Sequence, residues 1–297
     1  LGFPILIFNF TKYPQACKAF TAFLNALPPG GGGMAYVLVH HADPEHKSLM
    51  AELLARQTEM PVVLARNDMP VRPDHVYVIP PNSYMEIEKA VLRLSEPEDK
   101  RGTRLPINRF LMSLAGDQGR HAVAVILSGT GTDGSSAIAR IKAQGGIVLV
   151  QDPAEARQDG MPRSAIATGA ADHVVPIAQM PEIISEFAKH AFVAPTAPAL
   201  PFGENARPSL AAIIATLKAH SPINFDLYKE GTLLRRIERR MVLRHMQNSV
   251  DYHALLMETP EEADALCRDL LISVTSFFRD PEAYAWLEET VLPERVG

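Results

Sequence analysis

Disulfide chemistry has almost nothing to work with in this chain. Its two cysteines, Cys17 and Cys267, stand 250 positions apart among 297 residues. That pattern fits neither a disulfide framework nor a zinc ligand set, and it points to a reducing cytoplasm. A basic excess is also missing: 29 Lys and Arg against 34 Asp and Glu leave a formal net charge of −5. Nucleic acid is therefore not the expected main partner. No apolar run approaches the ~20 residues that span a bilayer, so no membrane insertion is expected; residues 122–127 are among the longest. The opening Leu1-Gly2 carries no initiator methionine and no signal-peptide pattern, and the chain reads as a fragment of a longer protein. Apolar residues, by contrast, make up 47% of the chain, enough to bury a core and too many for disorder. At ~150 residues per domain, the length suggests about two domains.

Short β-branched runs alternate with helical stretches through residues 4–190. The runs fall at 5–10, 35–40, 61–64, 76–79, 123–128, 147–151 and 173–176. Such short, almost wholly apolar strands describe a parallel sheet buried on both faces, the α/β doubly wound class. Ligands in that class sit outside the carboxyl ends of the strands. A Pro- and Ala-rich stretch, VAPTAPALPFGEN at 193–205, reads as a linker within 191–208. A small all-α domain is expected beyond it, over 209–275. No internal repeat stands out.

Charge is distributed unevenly in this second part. Residues 209–250 hold seven basic and three acidic side chains, whereas 251–297 hold three and eleven. In a helix over 233–245, Leu233, Leu234, Ile237 and Met241 share one stripe while Arg235, Arg236 and Arg239 point roughly the other way. The arginine face is expected to be open, either as a solvated surface or as a docking face for an acidic helix.

The most informative stretch is AVAVILSGTGTDGSSAI, a buried strand running into Ser128-Gly129-Thr130-Gly131-Thr132-Asp133-Gly134. Three glycines let the backbone turn sharply and approach a ligand. A nucleotide loop is disfavoured, because no Walker lysine follows and the spacing is not that of a dinucleotide fingerprint. An Asp fixed at a strand's carboxyl end is well placed to orient a histidine. Another strand end supplies one in His40-His41-Ala42-Asp43-Pro44-Glu45-His46. His40 and His41 should face opposite ways on extended chain, which argues against a shared metal. A third loop, with Gln151-Asp152-Pro153 and Asp159-Gly160-Met161-Pro162-Arg163, is expected on the same rim.

These segments, with HHADPEHKSLMAELLARQTEMPV, HVYVIPPN, LPINRFLMSLAGDQGRHAVAVILSGTGTDG and DGMPRSAIATG, resemble the catalytic domain of the chemotaxis receptor methylesterase (CheB) family over about residues 4–190. The resemblance implies a Ser–His–Asp triad that hydrolyses glutamate γ-methyl esters on chemoreceptor helices. It places His41 at the general base, Asp133 at the residue orienting it, and the Thr130 N–H in the oxyanion hole. The family's nucleophile sits in a Gly-Ala-Ser-x-Gly-Gly elbow after the first strand, where this chain reads Asn9-Phe10-Thr11-Lys12-Tyr13-Pro14. Aligned forward from Pro4, Thr11 takes the serine position; aligned backward from Phe23, Tyr13 does. Neither register supplies the serine or the glycines, so loss of esterase turnover is the expectation.

Residues 209–280 resemble the N-terminal helical domain of the chemotaxis receptor methyltransferase (CheR) family. YKEGTLLRRIERR and LLISVTSFFRD carry the likeness. It implies receptor contact through Arg235, Arg236, Arg239 and Arg240, and S-adenosylmethionine contact through Thr275 and Arg279. Residues 276–297 would then begin the cofactor-binding domain, too little of it to hold S-adenosylmethionine more than weakly. No receiver-type acidic cluster opens the chain. Two readings of different class stand side by side. One is an esterase–methyltransferase adaptation protein acting on receptor glutamates in the cytoplasm. The other is a non-catalytic sensory or scaffold module that binds a receptor, a histidine kinase or other sensory domains.

Overall fold

All seven β-branched runs form strands of one sheet in the computed structural model, which describes residues 5–10, 15–27, 30–41, 50–97, 104–189, 206–246 and 248–271. The α/β module begins β1 (Ile5–Phe10), α1 (Gln15–Ala26), β2 (Ala35–His40), α2 (Met50–Ala55), β3 (Val62–Leu64), β4 (Met69–Pro70), β5 (His75–Val78), β6 (Tyr84–Glu88) and β7 (Val91–Ser95). It continues through α3 (Pro106–Gln118), β8 (Ala122–Ile126), α4 (Ser135–Ala143), β9 (Ile147–Gln151), α5 (Gly160–Ala167), β10 (His173–Val175) and α6 (Met180–Lys189). The helical module holds α7 (Ala206–His220), α8 (Glu230–Leu243), α9 (Ser249–Glu258) and α10 (Pro260–Leu271).

The large sheet has the order β10-β9-β8-β1-β2-β5-β3, and every pairing in it is parallel. From β1 the chain first builds one side, where β5 returns to insert between β2 and the edge strand β3, and then the other through β8, β9 and β10. The order therefore reverses beside β1, and the crevice at that switch point opens at the carboxyl ends of β1, β2 and β8. Alternate side chains of β2 feed two separate layers. Tyr36 and Leu38 pack with Phe20, Phe23 and Leu54, whereas Val37 and Val39 pack with Ile107, Phe110 and Leu111. Burial on both faces is why these strands read as continuous apolar runs.

A second sheet, β4-β7-β6, is antiparallel and was not anticipated from the sequence. Its strands alternate apolar and polar residues, as in Tyr84-Met85-Glu86-Ile87-Glu88. The hairpin turn between β6 and β7 carries none of the glycine or asparagine that usually marks one. Lys89 and Ala90 adopt φ of 50° and 55° instead. Both N–H groups donate to the Asp117 carboxylate, the Ala90 bond measuring 3.0 Å, so a side chain from α3 holds a turn that local propensity disfavours.

In the helical module Ile213, Phe225, Leu233, Ile237, Met241, Tyr252 and Leu266 form the core. α7 starts at Ala206, inside the stretch expected to be linker. Pro208 falls in its first turn, where the missing N–H costs no helical hydrogen bond.

The arginine face of α8 corrects the sequence expectation. Arg236, Arg239 and Arg240 are buried, and Arg235 is half-buried. Arg239, only 1% exposed, donates to the Gly146 carbonyl at 2.9 Å, to Asp269 at 2.9 Å and to Asp172. Lys142 completes the group, 3.3 Å from Asp172 and 2.6 Å from Asp269. Two cations and two anions thus meet, one of each sign from either module. Burial alone would raise the Asp172 carboxyl, but Arg239 and Lys142 outweigh it and hold it below the usual range. Arg240 instead pairs within the module, donating from Nε to Glu262 at 2.8 Å, and Tyr252 donates to the same carboxylate at 2.9 Å. Gly146 and Asp172 immediately precede β9 and β10, so α8 docks on the amino ends of the sheet. A Cβ at Gly146 would collide with the Ala122 carbonyl and lie 2.9 Å from Ile141 Cγ2, so packing inside the α/β module itself requires the glycine here. Amphipathic spacing separates the apolar from the polar face of a helix; it does not reveal what covers the polar one.

Candidate functional site

β2 ends at His40, and extended geometry sends His40 and His41 in opposite directions. The His40 ring is buried, and that burial lowers its pKa to about 4, so it is neutral at ordinary pH. His41 turns toward the switch-point crevice. Its side chain is 32% exposed, and its Nε2 lies 2.8 Å from Oδ2 of Asp133, a residue only 5% exposed. The loop after β8 supplies Asp133. Gly131 and Gly134 adopt φ of 90° and 96°, conformations that L side chains rarely reach, and they bring the loop back under the end of its strand.

Asp133 is fixed by more than the histidine. Its Oδ2 accepts from the Ile107 N–H at 3.0 Å and its Oδ1 from the Asn108 N–H at 2.9 Å. Those groups are the otherwise unpaired donors at the start of α3, where a carboxylate also meets the positive end of the helix dipole. Asn108 reciprocates: its Oδ1 accepts from Gly134 N at 3.1 Å and Ala137 N at 3.2 Å, at the start of α4. Two helices are thus capped by residues from each other's N-terminal turns. Asn108 and the Ile107 N–H were not among the sequence-derived site residues. The signal was present in Leu105-Pro106-Ile107-Asn108, a proline opening a helix with a capping side chain close behind.

The loop after β9 braces the same rim. Gly129 N donates to Gln158 O at 2.9 Å, Met161 N to Gly129 O at 2.9 Å, and Gln158 N to Ser128 Oγ at 3.0 Å. Ser128 N in turn donates to Oε1 of Gln151 at 2.8 Å. Thr130 is exposed on this braced turn. His41, Thr130 and Asp133 therefore share one rim, as does the end of β1, where Phe10 pairs in register with His40. Thr11, directly after β1, lies outside the described residues, as do Thr275 and Arg279. Arg239 lies at the opposite rim, and α8, which also carries Arg235, Arg236 and Arg240, docks there rather than at this crevice.

The arrangement can hold an imidazole in one orientation and one tautomer. With Asp133 accepting from Nε2–H, Nδ1 is left as the basic nitrogen, an assignment that follows from the 2.8 Å contact.

Comparison with known proteins gives two family matches, CheB methylesterase over residues 15–184 and the all-alpha domain of CheR methyltransferase over 208–271. A 104.1 kDa protein of Rhodobacter capsulatus is 40% identical over 268 residues, which is 84% of this chain and 28% of that protein. A protein-glutamate methylesterase/protein-glutamine glutaminase of Anaeromyxobacter dehalogenans is 32% identical over 172 residues, 58% of this chain and 50% of its own length. A Pseudomonas aeruginosa protein of the same description is 34% identical over 164 residues, 54% of this chain and 46% of that one. The chain thus spans half or less of the relatives it matches. The crystal structure of the Thermotoga maritima CheB methylesterase catalytic domain superposes with a TM-score of 0.57 at 25% identity, covering 63% of this chain and 99% of that one.

Proposed function

Because the chain belongs to the CheB methylesterase family and carries a CheR-type all-alpha domain behind the esterase fold, we propose that it is part of a chemotaxis adaptation protein of the cytoplasm whose α/β module receives glutamate γ-methyl esters of chemoreceptor helices at the His41–Asp133 pair and turns them over near background. One observation carries this reading. His41 and Asp133, which we read as general base and orienting carboxylate, lie 2.8 Å apart, while residues 9–14, at and after the end of the central strand where the family carries its elbow, hold neither the serine nor the glycines.

Each residue then has a defined part. Nδ1 of His41 would accept the proton of an attacking hydroxyl, and Asp133 would stabilise the resulting imidazolium. The Thr130 N–H would face the developing oxyanion. Thr11 offers a hydroxyl in the forward register, but its methyl group crowds an elbow that lacks glycine. Loss of a triad nucleophile costs on the order of 10⁶ in turnover. S-adenosylmethionine is expected to bind this chain weakly or not at all, since the methyltransferase match is to its all-alpha domain; no step here runs through it.

Methanol release from methylated receptor tests the reading. The expected rate is near background and insensitive to His41→Ala. A rate comparable to an intact relative, abolished by His41→Ala, would overturn it. The second reading, a scaffold module without chemistry, draws on the missing serine and on the buried attachment of α8. Grafting Gly-Ala-Ser-x-Gly-Gly over residues 9–14 separates the two, because only a site that has lost nothing but its nucleophile recovers turnover.

A further inference from the structure

A small cleft beside His41 has a different chemistry from the Asp133 side. It is built from the chain leaving β5, the start of β6 and the approach to α3, and it presents Asn82, Ser83, Tyr84, Arg104 and Pro106 beside His41. Among the described residues lining this cleft there is no carboxylate, and Arg104 is the one permanent cation. Its Nη1 donates to Oδ1 of Asn82 at 2.8 Å, which uses one of the five guanidinium N–H donors and holds the fork at the cleft wall. Asn82 itself sits at φ 51°, a turn conformation that asparagine tolerates better than most residues.

Arg109 shows what a satisfied cation on this rim looks like. Its Nη2 lies 3.0 Å from Oε2 of Glu86, and its guanidinium stacks 4.8 Å from the centre of the Tyr84 ring. Arg104 has a neutral amide where Arg109 has an acid. A guanidinium matches a carboxylate with two parallel hydrogen bonds, and it stays charged at every relevant pH. In that reading the base and the oxyanion donor act on the ester and the orienting acid acts on the base; none of them reads what flanks the ester.

We propose that Arg104, held by Asn82, is a specificity-determining residue that pairs with a free carboxylate flanking the esterified glutamate, so that the cleft selects acidic segments over neutral ones. This rests on the methylesterase-type reading of the His41 site and adds the charge class of the bound segment. It does not require turnover, so equilibrium binding is the readout.

Two synthetic helical peptides, each bearing one glutamate γ-methyl ester and differing only in a flanking Glu or Gln, should be titrated against the full chain by fluorescence anisotropy. The Glu peptide is expected to bind roughly three- to ten-fold more tightly at low salt, with the gap narrowing as salt rises. Arg104→Gln should erase the gap, whereas Arg109→Gln should preserve it. Equal affinities for the native chain, or a gap that survives Arg104→Gln, overturn the assignment of Arg104. Failure of both peptides to bind overturns the receptor-segment reading beneath it and this assignment along with it.

Discussion

The two rims of the parallel sheet use the same kinds of side chain to opposite ends. At the carboxyl rim, Asp133 is held by two backbone N–H groups and faces a histidine that is one-third exposed. At the amino rim, Asp172 and Asp269 are buried and met by Arg239 and Lys142. Backbone donors fix a carboxylate while leaving its partner accessible to a substrate. Buried guanidinium and ammonium groups neutralise a carboxylate and close the surface around it. The first arrangement keeps a group available for proton transfer; the second joins two modules. Cost separates them too, since a buried network tolerates the loss of no member, whereas an exposed pair contributes little.

The largest expected effect tests whether the open rim is poised for chemistry. With the serine elbow grafted over residues 9–14, methanol release should rise on the order of 10³-fold or more, and His41→Ala in that background should remove the gain. A graft that folds and gains nothing would break the contrast, leaving two structural rims.

Next comes the closed rim. Arg239→Ala leaves Asp172 and Asp269 each short of a buried partner and should cost about 3–5 kcal/mol in urea unfolding. His41→Ala, at a partly exposed pair, should cost less than ~1 kcal/mol. Reversing Arg235 and Arg239 to glutamate, harmless if that face were solvated, should instead separate or unfold the helical module. Near-native stability of Arg239→Ala would show that the two rims do not differ in this way.

A smaller effect concerns Glu238, also on α8 and buried. Burial raises its pKa from the ordinary 4.5 to about 7, against the opposing pull of Arg120. The unfolded chain therefore releases this proton first. Stability is fully present below about pH 4.5 and is lost as pH rises through 7. Glu238→Gln should remove that loss and be more stable than the native chain at pH 8 by up to ~3 kcal/mol, with little gain at pH 4. Comparing variant with native at each pH isolates Glu238 from His121 and His173, whose burial lowers their pKa and gives the opposite slope. Thermal melts across this range suffice.

The smallest effect sharpens the open rim. Asn108→Ala removes the acceptor shared by Gly134 and Ala137 and should cost about 1 kcal/mol. Amide exchange at those two positions should rise while exchange in β8 stays unchanged.

Local pattern and tertiary arrangement divide the explanation of this protein along physical lines. Seven parallel strands were legible because burial on both faces leaves an unbroken apolar run, and no distant partner is needed to see one. That the loops bearing His41 and Asp133 share a rim was legible for a related reason, since loops after parallel strands lie at one edge of the sheet; the choice of His41 over His40 came from the family resemblance. The β6–β7 hairpin was hidden, since its Lys89-Ala90 turn is held by Asp117 from another element rather than by its own residues. The fate of α8 was hidden most completely. Its spacing showed an apolar stripe and an arginine face, but Asp172 lies 67 residues away in sequence from Arg239 and Asp269 lies 30 away. Only folding brings those carboxylates to the guanidinium. A charge in sequence has a sign but no partner, and the partner decides whether it faces water or closes a junction.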